Sequence, residues 1–245
     1  MKRRIIILGS TGSIGKSTLD IIEKDIKNFS IVLLTANNNY TTLAKQAKKF
    51  KAENVLIKNK KLINKLKKLL EKTNTKVYAG DISDNKIISK KVDFTMSSIV
   101  GIAGLQPTID AIKFSKIVAL ANKESIICAW NIILAHSKKY KTRILPVDSE
   151  HFSIMQLTKN ITNDEIKEII ITASGGPFLN KPIKKLNFIK PHQAIKHPNW
   201  SMGKKISIDS STMMNKVFEV IETQRIFNGI INCYFTFRNY VSCKI

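Results

Sequence analysis

Seven short apolar runs alternate with amphipathic stretches over the first 147 residues, and this alternation decides the fold class. The runs are residues 4–8, 31–35, 54–57, 76–79, 93–97, 117–121 and 144–147. Strands separated by helical stretches build parallel sheets through crossover connections. Helices then cover both faces of the sheet, so its strands read as unbroken apolar runs. The segment 60–72 shows the helical partner, with Leu62, Leu66, Leu69 and Leu70 on one face and lysines elsewhere. The spacing predicts an α/β chain that opens with a Rossmann-like, doubly wound parallel sheet over residues 1–147.

The turn after the first run is rich in glycine: Gly9-Ser10-Thr11-Gly12-Ser13-Ile14-Gly15-Lys16-Ser17. Two phosphate-binding readings compete for it. A P-loop needs G-x-x-x-x-G-K-[ST]; Gly15-Lys16-Ser17 fits its end, but Ser10 stands where the first glycine belongs. A dinucleotide turn needs glycines that let the backbone approach a pyrophosphate at a helix N-terminus, and G-x-x-G-x-x-G is a variant of that spacing. No apolar strand ending in a Walker-type Asp is evident and seven strands follow in order, which favours the dinucleotide. The second strand ends in Thr35-Ala36-Asn37-Asn38-Asn39. No acid is there to hold a ribose hydroxyl, which leans away from NAD, and no Lys or Arg is there to hold a 2′-phosphate, so the local case for NADP is incomplete.

After Asp148 the texture changes. Residues 172–204 hold four of the six prolines and read as loops with a mobile flap. A helix is expected over 212–227. Asp148 and Glu150 follow the last strand, and an extended backbone would point them to one side. Paired carboxylates repel unless a cation or a shared proton relieves them, and hard oxygen donors suit Mg²⁺ or Mn²⁺. Glu219 or Glu222 could add a third acid, with His151 as a neighbour. The plain alternative is a pair of exposed loop acids. Asp209-Ser210-Ser211-Thr212-Met213-Met214-Asn215-Lys216 places hydroxyls, an amide and a lysine at a helix start, which suits a phosphate monoester or an ordinary N-cap.

The net charge of +23 invites a nucleic-acid reading. The basic residues argue against it. Only five are Arg, whereas a phosphate-reading surface favours Arg forks interleaved with aromatics. Ile (39), Lys (36) and Asn (20) all have A/T-rich codons, so the lysines read as drift at solvated positions and no nucleic-acid partner is expected. No apolar run reaches the roughly 18 residues of a membrane span, and the basic-apolar start runs into glycines where a signal peptide would have a cleavage site. A cytoplasmic protein without a membrane partner is expected. Three cysteines, Cys128, Cys233 and Cys243, form no C-x-x-C pair, which excludes a disulfide scaffold or a zinc ribbon.

Six motifs occur in order: Gly9–Gly15, Leu120-Ala121-Asn122-Lys123-Glu124-Ser125, Leu145-Pro146-Val147-Asp148-Ser149-Glu150-His151, Ser174-Gly175-Gly176-Pro177-Phe178, His197-Pro198-Asn199-Trp200-Ser201-Met202-Gly203, and Met213-Met214-Asn215-Lys216 followed by Glu219. Together they closely resemble the 1-deoxy-D-xylulose 5-phosphate reductoisomerases of the non-mevalonate isoprenoid pathway. The resemblance implies an NADPH-binding domain (1–147) followed by an α+β catalytic domain (148–229). It implies that Thr11, Gly12, Ser13, Ile14, Asn39, Asn122, Glu124 and Gly203 bind NADPH. It implies that Asp148, Glu150 and Glu219 bind one Mg²⁺ or Mn²⁺. Lys123, Ser149, Ser174, His197, Ser210, Asn215 and Lys216 would bind the sugar phosphate, and Lys123 with the three acids would be catalytic. Trp200 and Met202 would belong to a closing flap. The reaction implied is a metal-dependent rearrangement and NADPH reduction to 2-C-methyl-D-erythritol 4-phosphate.

The chain departs from that pattern in three places. Asn37 and Asn38 stand where the family has Gly and a basic residue. Val217 stands where it has Gly, and a β-branched residue in a close-packed helix start is expected to shift Lys216 or crowd the substrate. The likeness ends near Asn228: residues 230–245 read as an aberrant tail, and the family's strand with its His-Pro-Gln-Ser segment, its dimer contact and its C-terminal helical domain do not follow. The alternative to an active enzyme is therefore a non-catalytic remnant that retains only cofactor binding.

Overall fold

A computed structural model of the chain describes residues 2–83, 87–196, 203–227, 233–236 and 242–244. The chain divides into two compact units, Met1–Val147 and Asp148–Ile245.

The first unit runs β1 (Arg3–Leu8), α1 (Ser13–Glu23), β2 (Phe29–Ala36), α2 (Tyr40–Phe50), β3 (Asn54–Ile57), α3 (Ile63–Leu70), β4 (Lys76–Ala79), β5 (Val92–Ser97), α4 (Leu105–Phe114), β6 (Ser115–Leu120), α5 (Lys123–Tyr140) and β7 (Arg143–Pro146). All seven strands are parallel, in the order β4-β3-β2-β1-β5-β6-β7. The seven apolar runs are these seven strands. Alternation along β1 sorts its side chains into two cores. Ile5 and Ile7 pack with Leu19 and Ile22 of α1, Leu43 and Ala47 of α2, and Leu66 and Leu70 of α3. Ile6 and Leu8 face the other way, with Leu33, Val92 and Ala111 of α4. Each fully buried Ile or Leu here contributes roughly 1.5–3 kcal/mol.

Strand order reverses at β1, which pairs β2 on one side and β5 on the other. The carboxyl ends of β1 and β5 thus open the crevice where doubly wound sheets bind ligands. The start of β1 is tied to β5 by Asp93, whose Oδ2 accepts from the Arg4 backbone N–H (2.8 Å). The Lys116 ammonium donates to Oδ1 (2.7 Å). These partners, Lys116 foremost, hold the Asp93 carboxyl below its usual range. The tie is therefore present at neutral pH and is lost only as pH falls through that lowered value.

The helix expected over 60–72 begins as a 3₁₀ turn and buries Leu66 and Leu70, while Leu69 faces solvent. The lysines around them are exposed, as a solvated helix face requires.

The second unit contains α6 (Ser149–Leu157), β8 (Glu168–Thr172), α7 (Pro191–Ala194), α8 (Lys204–Ser211), α9 (Met214–Ile226), β9 (Cys233–Thr236) and β10 (Ser242–Lys244). Ile154, Ile166, Ile169 and Ile171 form its core, with Val220 and Phe227 packed on them. β8 is the middle strand, parallel to β9 and antiparallel to β10. The segment read as an aberrant tail thus supplies both neighbours of β8, while residues 228–232, 237–241 and 245 lie outside the described residues. Among the described residues no helix is long and apolar enough to cross a membrane.

Candidate cofactor turn and acidic metal centre

The glycine turn leaves β1 at Gly9, which has φ +77°. Glycine is the default residue for that backbone conformation. Gly15 has no room for a side chain: a Cβ there would sit 2.4 Å from Gly9 O and 2.6 Å from Ser10 Cα. Helix α1 therefore starts pressed against the turn, the close helix–strand approach that the third glycine of such motifs permits. Gly12 is the N-cap of α1 and no side chain caps the helix. Its first-turn amides are thus directed toward the turn's mouth, where an anion is favoured. Thr11, Gly12, Ser13 and Ile14 line this mouth; the last three are exposed.

Ser10 was not among the expected site residues, yet it anchors the turn. It is fully buried; its hydroxyl donates to Gln46 Oε1 (2.8 Å), and Gln46 Nε2 returns a bond to Ser10 O (2.9 Å). The Thr35 hydroxyl accepts from Gly9 N–H, and Thr35 O from Ser10 N–H, both at 2.9 Å. A Ser spent this way cannot stand in for the first glycine of a P-loop. Ser–Gln pairs 36 positions apart leave no local signal in a sequence.

Asn39 is the N-cap of α2, its Oδ1 accepting from Thr42 N–H (3.1 Å). Asn38 Oδ1 accepts from Asn59 Nδ2 (2.9 Å), and Asn37 O from Asn59 N–H (3.1 Å). The neutral end of β2 is thereby bound to the turn after β3, which carries the exposed lysines Lys58, Lys60 and Lys61.

Asn122 is buried at the N-cap of α5 and its amide is fully used. Oδ1 accepts from Ser125 N–H (2.6 Å), and Nδ2 donates to Ile99 O and Gly101 O. Its role in the structure is to pin the loop after β5 to the start of α5, where Lys123 and Glu124 stand. Glu124 lies in the first helical turn, the favourable end of the helix dipole for an acid. Asn122→Ala should cost about 2 kcal/mol of unfolding free energy, since it removes an N-cap and leaves two part-buried carbonyls without their donor. Urea unfolding would show it; a loss under 0.5 kcal/mol would mean that the loop is held by other contacts.

In the second unit Asp148, Glu150 and Glu219 each bring a carboxylate oxygen to a common point, all within 4.8 Å of one another. The route differs from the expected one. Asp148 is the N-cap of α6, accepting from Glu150 N–H through Oδ1 (3.2 Å). The backbone turns helical at once, because Asp is a strong N-cap and Glu suits a first turn. Convergence of the two acids is therefore a product of capping, not of an extended strand.

Three of the residues expected to bind a sugar phosphate, Ser149, Asn215 and Lys216, are bonded to these acids. Lys216 Nζ lies 2.7 Å from Glu150 Oε1 and forms a still closer ion pair with Glu219 Oε2. Asn215 Nδ2 donates to Glu219 Oε1, and the Ser149 hydroxyl to Glu150 Oε2. His151 is fully buried behind them. Its Nε2 donates to Glu219 backbone O (3.0 Å), since a carbonyl can only accept. Its Nδ1 faces Asp148 Oδ1 at 3.6 Å and Glu222 Oε2 at 3.9 Å. Glu222 thus backs His151 and stays outside the triad.

Three carboxylates against one ammonium leave two formal negative charges in excess in a partly buried place. Buried charge is costly unless paired. The donors are all hard oxygens, so the residues present fit a divalent Mg²⁺ or Mn²⁺.

Ser210 does not open a helix, contrary to the expectation for Asp209–Lys216. It lies in the last turn of α8, which Gly203 caps, and α9 begins afresh after Met213 turns left-handed at φ +61°. Of that stretch, Met214, Asn215 and Lys216 occupy a helix start. Gly176, at φ +65°, packs so tightly that a Cβ would lie 2.7 Å from Ser210 O. The Ser174-Gly175-Gly176 turn is thereby held against Ser210. A Cβ on Gly203 would meet nothing within 4 Å. Val217 is 42% exposed, and Lys216 keeps its ion pairs with Glu150 and Glu219 beside it. His197, Trp200 and Met202 lie outside the described residues.

Known proteins share this pattern. A family model described as 1-deoxy-D-xylulose 5-phosphate reductoisomerase matches residues 5–130, and one described as the C-terminal domain of that enzyme matches residues 144–227. The 1-deoxy-D-xylulose 5-phosphate reductoisomerase of Pelagibacter ubique is 54% identical over 228 residues, 92% of this chain and 59% of that protein. That of Phocaeicola vulgatus is 47% identical over 228 residues, 93% of this chain and 59% of that protein. The chain therefore spans about three-fifths of the length of the curated relatives it matches. Among solved structures, the Zymomonas mobilis reductoisomerase in complex with NADPH superposes with a TM-score of 0.86 at 39% identity, covering 96% of this chain and 61% of that one. A reductoisomerase in complex with NADPH, fosmidomycin and magnesium gives 0.87 at 36% identity, covering 95% and 60%.

Proposed function

We propose, from the premise that the chain belongs to the 1-deoxy-D-xylulose 5-phosphate reductoisomerase family, that it converts 1-deoxy-D-xylulose 5-phosphate to 2-C-methyl-D-erythritol 4-phosphate with NADPH and a divalent metal. The observation that carries the reading is the meeting of Asp148, Glu150 and Glu219 within 4.8 Å, with Asn215 and Lys216 bonded to them.

Asp148, Glu150 and Glu219 hold the metal. When bound, Mg²⁺ or Mn²⁺ supplies Lewis acidity to the substrate's ketone and neighbouring hydroxyl oxygens. Ser149, Ser174, Ser210, Asn215 and Lys216 take the sugar phosphate, together with His197. Lys123 is assigned to the substrate's reacting end as a positive charge. His151 keeps α6 and α9 in register through its bond to Glu219 O, which fixes the spacing of the acids.

NADPH supplies the hydride. The α1 amides and Thr11–Ile14 hold its pyrophosphate, while Asn39, Asn122, Glu124 and Gly203 line the remainder. Asn37 and Asn38 carry no charge, so recognition of the 2′-phosphate falls to Lys60 and Lys61 on the adjoining turn. The need for NADPH fits a cytoplasmic location.

Metal removal tests the reading. EDTA should stop substrate-dependent NADPH oxidation by more than about 100-fold, and Mn²⁺ added in excess should restore it. Turnover that survives exhaustive chelation would instead describe a metal-free dehydrogenase on the same sheet.

A further inference from the structure

Among the described residues Lys216 is the one buried lysine, and its ammonium stands between two carboxylates. We propose that Lys216 is an internal occupant of the metal centre, holding Glu150 and Glu219 until a phosphate draws its ammonium away, so that phosphate and divalent metal bind cooperatively. The inference rests on the metal reading of the triad.

Three observations support it. First, Lys216 is bonded to one oxygen of each of two acids of the triad, 2.7 Å from Glu150 and closer to Glu219. A small divalent ion needs an oxygen from each at about 2.0–2.2 Å. It must therefore share those carboxylates with the ammonium, and two cations that close together repel. Second, Lys216 sits in the first turn of α9. A helix N-terminus disfavours a cation, so the two carboxylates alone keep the ammonium there. Third, Lys carries its charge on a flexible four-carbon stem, which lets the ammonium swing without moving the helix.

Drawn to a phosphate, the ammonium stops competing for the acids, and its charge offsets the phosphate's. Linkage makes the effect mutual: phosphate tightens metal, and metal tightens phosphate. A static counter-ion would behave differently: its ammonium would stay on the acids when phosphate is added, so phosphate would not alter metal affinity.

The test reads Mn²⁺ binding, not turnover. Free Mn²⁺ is counted by electron paramagnetic resonance for the 245-residue chain and for Lys216→Met, with and without inorganic phosphate, against protein-free blanks. Lys216→Met should bind Mn²⁺ at least about tenfold more tightly than the parent. Phosphate should tighten the parent several-fold and leave Lys216→Met unchanged. Parent affinity that phosphate does not alter overturns the proposal, and that arm needs no variant to fold. Weaker Mn²⁺ binding by a folded Lys216→Met overturns it as well. Equal, tight binding in every arm overturns the coupling and leaves the metal reading standing; no Mn²⁺ binding in any arm overturns both.

Discussion

Glu150→Gln should lower metal-dependent turnover by roughly 1,000-fold or more while leaving NADPH binding unchanged. The carboxylate offers one oxygen to the common point of the triad and receives Lys216 at 2.7 Å. An amide removes a formal negative charge and turns one oxygen into a donor that faces the Lys216 donor. Lewis-acid stabilisation is worth several kcal/mol, and each 1.36 kcal/mol is tenfold in rate. Glu150 belongs to the second unit, so the glycine turn is untouched. Initial rates over a Mn²⁺ series, beside NADPH fluorescence titration, separate the two effects. Turnover within tenfold of the parent would remove Glu150 from the metal centre.

Gly15→Ala should disable the other unit. Its Cβ would meet three backbone atoms under 3 Å: Gly9 O, Ser10 Cα and Ser10 C. None can retreat cheaply, because Thr35 binds the amides of Gly9 and Ser10 and Gln46 binds the Ser10 carbonyl. Overpacking of a tight site costs about 3 kcal/mol. A displaced turn withdraws backbone N–H donors from the pyrophosphate, each worth about 1.5–3 kcal/mol, and should weaken NADPH binding by roughly tenfold or more. Gly12→Ala, whose Cβ meets only Gly9 O at 3.3 Å, should be much milder. Thermal unfolding and fluorescence titration of both variants would check this order. Equal NADPH affinity for Gly15→Ala and the parent would mean that the turn does not hold the cofactor.

The parallel sheet was legible because of what its strands bury. A strand covered on both faces has no polar alternation, so residues such as Ile5–Leu8 and Ile31–Leu34 announce themselves. Strand ends slid by only a residue or two. The acids were legible by type, yet the geometry joining them was not. Asp148 as an N-cap and Met213 as a left-handed break each reset the backbone within one residue, and a pattern averaged over a window passes over such points. Longer-range bonds left no trace at all. Lys216 meets Glu150 from 66 positions away, and Ser10 meets Gln46 from 36. Residue type left Lys216 between a phosphate site and an ordinary N-cap; only the folded chain shows it bonded to the acids.

Substrate-dependent NADPH oxidation by the 245-residue chain, with 1-deoxy-D-xylulose 5-phosphate and Mn²⁺, tests the reductoisomerase reading most directly. NADPH should be consumed in proportion to substrate, with 2-C-methyl-D-erythritol 4-phosphate as the product by mass spectrometry. A folded chain that binds NADPH and Mn²⁺ but consumes none with substrate present would contradict it and leave a cofactor-binding remnant.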